Sequence, residues 1–189
     1  MHLNIAAFLI HVSDAQVPTL VLPDAITVTR NAGKLTSKGV EIEMEAALLN
    51  GLQANYNFGY TDAAYKNLKL SQNGSAVNLD GKKQIFTPDV TSMLALQYNI
   101  DFKTKTPLKL FLRGEWMYLG KQYFDLSNNI TQNAYSLLNT RITLASKKTE
   151  LTFWARNLGD KKYISYAYDF GAVHLGSPKT YGITLATQF

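Results

Sequence analysis

The stretch KGVEIEMEAALLNGLQANYNFGYT, residues 38–61, decides the fold. Along it Val40, Ile42, Met44, Ala46 and Leu48 recur at every second position, and Glu41, Glu43 and Glu45 fill positions between them. After Asn50-Gly51 the period resumes. Leu52, Ala54, Tyr56, Phe58 and Tyr60 alternate with Gln53, Asn55, Asn57, Gly59 and Thr61. Successive side chains of an extended chain point to opposite faces, so each half predicts a strand with one apolar and one polar face. Asn-Gly is the dipeptide that favours a two-residue hairpin turn. The segment therefore predicts an antiparallel pair.

The same period runs outward from this hairpin. Val90, Leu94, Leu96, Tyr98 and Ile100 oppose Thr91, Gln97 and Asn99, and Leu110, Leu112, Gly114, Trp116 and Tyr118 oppose Arg113 and Glu115. Leu138, Ile142 and Leu144 face away from Asn139, Arg141 and Thr143, while Leu151, Phe153 and Ala155 alternate with Thr152, Trp154 and Arg156. At the end, Tyr181, Ile183, Leu185, Thr187 and Phe189 alternate with Thr180, Gly182, Thr184, Ala186 and Gln188. With an opening run from Leu3 to Val12 this makes about eight strands, most of them near the roughly 9–11 residues that cross a bilayer at a tilt. No stretch shows a capped 3.6-residue period, and no window approaches the roughly 18 continuous apolar residues of a membrane helix.

Connection lengths alternate. Ser13–Ser37, Asp62–Pro88, Leu119–Ala134 and Gly159–Lys179 are long, whereas Asn50-Gly51, Phe102–Pro107 and Lys147–Thr149 are short. If Phe189 lies on the periplasmic side, every short turn is periplasmic and every long loop external, which is the rhythm of an outer-membrane barrel. In a bilayer each backbone N–H and C=O needs a partner within the protein, so strands cross only as parts of closed barrels. The expected fold is all-β, an antiparallel transmembrane β-barrel segment. Its apolar faces meet lipid, and Glu41, Glu43, Glu45, Arg113, Glu115, Arg141 and Arg156 meet the lumen. A charged Arg or Lys at the lipid midplane costs roughly 2–4 kcal/mol, so this sorting of charges is a test that the reading passes. Tyr56, Tyr60, Tyr98, Trp116 and Tyr118 fit interfacial aromatic girdles. As core residues of a soluble barrel they would need a second sheet to cover them.

Composition agrees. Charged residues make up 17% of the chain, low against about 25% in soluble domains. With no cysteine, disulfides, thiolate metal sites and cysteine catalysis are excluded. The net charge of +5 is dispersed among short turns (Lys103 and Lys105, Lys147 and Lys148, Lys161 and Lys162), a solvated pattern rather than a nucleic-acid surface. The apolar run Ile5–Ile10 lacks a basic n-region and a cleavage pattern, so no signal peptide is expected. His2, His11 and His174 have no ligand spacing, and Ser165 or Ser177 with His174 and Asp169 has no supporting motif, so neither catalysis nor a cofactor is expected. Asn73-Gly74 reads as a loop turn.

Several short motifs, in order along the chain, resemble the TonB-dependent outer-membrane receptors. They are Asn31-Ala32-Gly33 with Lys38-Gly39-Val40-Glu41, Gly51-Leu52 leading to Asn57-Phe58-Gly59-Tyr60-Thr61, and Thr87-Pro88. Asn157-Leu158-Gly159-Asp160-Lys161-Lys162-Tyr163 and Leu175-Gly176-Ser177-Pro178-Lys179-Thr180-Tyr181-Gly182 follow, before the terminal Phe189. The family more often has Arg where Lys179 stands. The resemblance implies that residues 1–189 are the C-terminal part of a larger barrel of 22 strands, without the N-terminal plug or the segment that engages TonB. It implies uptake of an iron–siderophore complex, or of haem, cobalamin or a glycan, driven through TonB by the inner-membrane proton gradient. The implied partners are outer-membrane lipid, the outer-membrane assembly machinery, the TonB complex and an iron-siderophore ligand, with no nucleic acid.

Tyr181, Ile183, Leu185 and Phe189 resemble the family's assembly signal, with Thr187 its weak position. In the external loops, Tyr123, Phe124, Asp125, Tyr166, Tyr168, Phe170 and His174 are ligand-contact candidates, and the alternative for them is a loop packed on its own aromatics. For the lumenal glutamates, substrate binding stands against a solvated inner wall or hydrogen bonds to the plug. A self-contained barrel of eight strands with a structural or adhesive role stays open at this point, as does the identity of the substrate.

Overall fold

The computed structural model describes the whole chain except residues 22–25, 32, 73–74, 104–106, 169–170 and 189. Phe189, Phe170, Asp169, Lys105, Ala32 and the Asn73-Gly74 turn therefore lie outside the described residues. In chain order the strands are β1 (His2–Ser13), β2 (Gln16–Val21), β3 (Ile26–Asn31), β4 (Lys34–Leu49), β5 (Leu52–Lys66), β6 (Lys69–Gln72), β7 (Ser75–Asn78) and β8 (Val90–Phe102). They continue as β9 (Leu108–Leu119), β10 (Gln122–Tyr123), β11 (Thr131–Gln132), β12 (Tyr135–Ala145), β13 (Thr149–Arg156), β14 (Ile164–Ala167), β15 (Val173–Leu175) and β16 (Thr180–Thr187).

The alternating runs form one 8-stranded antiparallel sheet in the order β1-β4-β5-β8-β9-β12-β13-β16. Each long connection holds a 2-stranded ribbon, namely β2-β3, β6-β7, β10-β11 and β14-β15. The sequence signalled long loops but not these ribbons, because their strands are only 2 to 6 residues long. Among the described residues nothing pairs β1 with β16, so the sheet is open at both edges and does not close upon itself. That disfavours the self-contained small barrel.

Register places the apolar positions on one face. Ile5 lies opposite Ile42, Ile42 opposite Phe58, and Leu94 opposite both Tyr56 and Trp116. Leu138 in turn opposes Trp116, and Phe153 lies between Ile142 and Ile183. Ile5, Leu9, Tyr98, Leu138, Phe153, Ile183 and Leu185 are all exposed on this face. A continuous apolar surface of this extent marks contact with lipid rather than water. Tyr60, Trp116 and Tyr118 cluster toward the long-loop ends, with the Trp116 and Tyr118 rings stacked at 6.0 Å, and Tyr98 lies near the short-turn ends opposite Leu52. Tyr56 shares a row with Leu94 and Trp116, lower on the wall than Tyr60.

The hairpin at Asn50-Gly51 differs from the turn its sequence favours. Leu49 pairs with Leu52 across it, but only Gly51 has a left-handed backbone (φ 81°). The favoured Asn-Gly turn requires both central residues there. A bulge between Ala47 and Leu49 adjoins the turn and supplies the extra twist that the single left-handed residue does not. Gly51 also abuts β8: a Cβ here would sit 2.5 Å from the Asn99 carbonyl oxygen.

The two faces make an asymmetric expectation. Ile42→Arg puts a guanidinium in lipid and is expected to cost about 2–4 kcal/mol, whereas Glu43→Lys keeps a charge on the opposite face and should fold like the parent. The yield of the heat-modifiable folded band in outer membranes checks this. Equal loss in both variants would mean that the faces are assigned wrongly.

Candidate functional site

Two of the central strands are longer than a bilayer needs. β4 and β5 have 16 and 15 residues, and their Lys34–Lys38 and Thr61–Lys66 ends extend past Tyr60. The external loops fold onto this extension. Val17, Tyr65, Leu68 and Leu79 form a buried cluster, with Leu35 and Leu126 packed against it. Leu35 pairs with Tyr65 on the lumenal face, so three long loops are tied together on the inner side of the external rim. Gly33 permits this approach: it has φ 67°, and a Cβ there would lie 2.9 Å from the Leu68 Cα.

Hydrogen bonds connect the loops further. Asn128 donates to the Lys83 carbonyl at 3.1 Å and accepts from the Lys83 N–H at 2.7 Å, stapling the third long loop to the second. The Asp125 carboxylate accepts the Ile130 N–H at 2.7 Å, which shapes its own turn. Tyr123 stands apart from the other candidates. It lines a pocket of about 150 Å³ with Tyr60, Asp62, Lys83, Asp89 and Lys121, on the outward side just above the girdle. There Asp62 pairs with Lys83 at 2.5 Å and Lys38 at 3.4 Å. The hydrogen bond to Asp62 holds the Lys83 pKa above its ordinary value. The same bond holds the Asp62 carboxyl below its ordinary range, so the pairing persists through neutral pH and is lost as pH rises through the raised Lys83 pKa or falls through the lowered Asp62 pKa.

The remaining aromatic candidates come together. Tyr166 stacks on Phe86 with centroids 5.0 Å apart and planes 10° apart, and Phe86 meets Phe124 at 5.7 Å. Tyr166 meets Tyr168 edge-on at 4.8 Å, and Tyr168 lies 6.2 Å from His174. Phe124 is buried at the base, whereas Phe86, Tyr166, Tyr168 and His174 are exposed. This array draws on three long loops and offers π faces, phenolic hydroxyls and one imidazole. Among the described residues no group of three His, Asp or Glu side chains is placed to hold a metal ion. The array's π faces and phenols suit contact with an organic group.

Phe86 escaped the sequence reading. It sits immediately before Thr87-Pro88 and owes its position to a left-handed backbone (φ 55°), fixed in part by its N–H donating to the Tyr123 carbonyl at 2.8 Å. Such a conformation is uncommon for a bulky residue and leaves no mark in hydrophobic periodicity.

The motif residues around the last long loop act as its clasp. Asn157, buried and at φ 49°, donates to the carbonyls of Lys161 (2.9 Å) and Ser177 (3.0 Å) and accepts the Lys161 N–H (2.8 Å). Asp160 accepts the Lys179 N–H at 2.9 Å, a backbone contact that asks nothing of the side chain at 179. Tyr163 stacks on Tyr135 at 4.4 Å and covers Gly176, where any side chain would collide with its ring. Asn157→Ala is expected to loosen this loop by about 1–3 kcal/mol, seen as faster protease cleavage within residues 159–179 while the barrel stays heat-modifiable. Unchanged cleavage would show that the clasp is not what holds the loop.

The family model for the TonB dependent receptor-like beta-barrel matches residues 1–158. The ferrioxamine receptor of Yersinia enterocolitica is 23% identical over 170 residues, an alignment that covers 84% of this chain and 21% of that receptor. The ferric yersiniabactin uptake receptor FyuA from Yersinia pestis superposes with a TM-score of 0.81 at 23% identity, over 99% of this chain and 27% of that one. BauA, the ferric preacinetobactin receptor from Acinetobacter baumannii, superposes with a TM-score of 0.71 at 21% identity, again over 99% and 27%. The chain thus spans about a quarter of the length of these receptors. Strand order, lipid-facing register, loop alternation and the family match agree: the chain belongs to the TonB-dependent receptors and forms part of their transmembrane β-barrel.

Proposed function

We propose that the chain serves, in the bacterial outer membrane, in TonB-dependent uptake of an iron chelate of the siderophore type. The observation that carries this reading is the aromatic array of Phe86, Tyr166, Tyr168 and His174 on the external side of a barrel of this family. The names of its relatives support the substrate class, since they receive ferrioxamine, ferric yersiniabactin and ferric preacinetobactin. An iron chelate presents an organic shell, and stacked rings recognise such shells without needing open coordination positions. In this reading the array captures the ligand from outside, and the described barrel supplies wall, loops and lipid contact. A plug and a TonB-engaging segment act from regions outside this chain. Tyr181, Ile183 and Leu185 lie exposed on one face of β16, where the assembly machinery would read them together with Phe189.

The test is binding and uptake of iron-55 chelates by cells whose receptor carries this chain, under iron limitation. Tyr166→Ala removes the ring at the centre of the array and is expected to weaken chelate binding by roughly 3- to 10-fold. Asp125→Asn, at a carboxylate engaged in its own turn, should bind nearly as the parent. Iron uptake that is indifferent to loss of the receptor would overturn the reading.

A further inference from the structure

The lumenal face of the C-terminal strands breaks a rule of sheet pairing. Arg113 on β9 and Arg141 on β12 are direct cross-strand partners on this face. Like charges directly opposite one another destabilise a sheet. Arg113 is turned toward its own strand, with Nε 2.6 Å from the Glu115 carboxylate. Arg141 makes no ion pair among the described residues. Across from Arg141 lies Trp154, whose indole spreads over Gly182, where a Cβ would come within 2.5 Å of Cζ2. The Arg156 guanidinium stands 5.4 Å from the same ring.

These groups line one concavity of about 610 Å³, with Glu115 and Glu150 also on its wall. Three guanidinium groups against two carboxylates leave one positive charge uncompensated, beside a flat aromatic floor. Between it and the Glu41, Glu43 and Glu45 row of β4 lie β5 and β8, whose only charge on this face is Asp101, already paired with Lys109 at 3.5 Å, so none of these acids supplies the missing partner.

We propose that Arg113, Arg141 and Arg156, with Trp154 as the floor, form a binding site for a single carboxylate inside the barrel. Guanidinium forks match planar carboxylates, and one net charge suits a monoanion. The carboxylate belongs either to an acidic side chain of polypeptide held within the lumen or to a small carboxylate that enters it. The site requires only that the sheet wall a barrel, not that the imported compound be an iron chelate, so it stands or falls separately from the uptake reading.

A solvated inner wall and a carboxylate site predict opposite signs for Arg141→Gln. If the wall is merely solvated, the substitution relieves like-charge repulsion and the receptor melts at the same temperature or higher. If a carboxylate is bound, the substitution strands that anion. The experiment is thermal unfolding of the detergent-purified receptor carrying this chain, as isolated and with benzoate titrated in as the probe. A fall of a few degrees as isolated, rescued in part by Arg141→Lys, supports a polypeptide carboxylate. No change as isolated, but a benzoate-induced rise in the parent whose midpoint concentration increases about tenfold in Arg141→Gln, supports a small carboxylate. Arg141→Gln melting at or above the parent, with no benzoate effect on either, overturns the proposal. Should Arg141→Gln lack a heat-modifiable folded band, Arg156→Gln, at the rim of the same concavity, is read by the same criteria.

Discussion

A polypeptide in hydrocarbon has no water to satisfy its amides, and every other feature of this wall answers to that constraint. The ladders from β1 through β16 satisfy the interior strands laterally and leave only the two outer edges to be met from elsewhere. Once the backbone is committed to ladders, side chains can only alternate, and the two media on either side sort them. Ile42 and Phe58 face lipid because Glu43 and Asn57 cannot. The same geometry makes long and short connections fall on opposite rims, since antiparallel neighbours return to the same side at every second turn.

Within this frame the external site is assembled by contacts between loops rather than by any one loop. The buried cluster around Leu68 and Val17 gives the rim a small core of its own, and Asn128 links two loops across 45 residues of sequence. Phe86, Tyr166 and Tyr168 stack because these supports bring distant segments into register. The Asn157 clasp closes the last loop in the same way, with polar side chains saturating backbone groups that no ladder reaches.

This division explains what the sequence disclosed. Strand period and face follow from a local rule, so the eight wall strands, the outward apolar positions and the lumenal charges could be read from residues two apart. The Asn50-Gly51 turn was located but not its geometry, because a bulge at its flank shares the twist. The loop ribbons were missed for want of length. In the candidate site, Tyr166, Tyr168, His174 and Phe124 were found as aromatics in external loops and do meet, while Tyr123 turns outward toward Lys83 and Lys121. Phe86 was invisible, since a positive φ and a neighbour 80 residues away leave no periodic trace. The Asn157 motif was recognised by resemblance alone. Its physical content, a buried amide bridging two loop ends, is a property of the folded loop and has no local sequence trace.

The extension of β4 and β5 past Tyr60 has a consequence for the dielectric that an incoming solute meets. Six residues from Thr61 to Lys66, at about 3.3 Å each and tilted near 40°, stand on the order of 15 Å above the girdle. Phe86, Tyr166 and Tyr168 are exposed in the loops beyond the girdle, so on the proposed uptake a charged or strongly hydrated compound would meet them without giving up its solvation to hydrocarbon. On that reading, recognition and membrane crossing would be separated in space, the first at high dielectric and any desolvation left to the interior of the barrel.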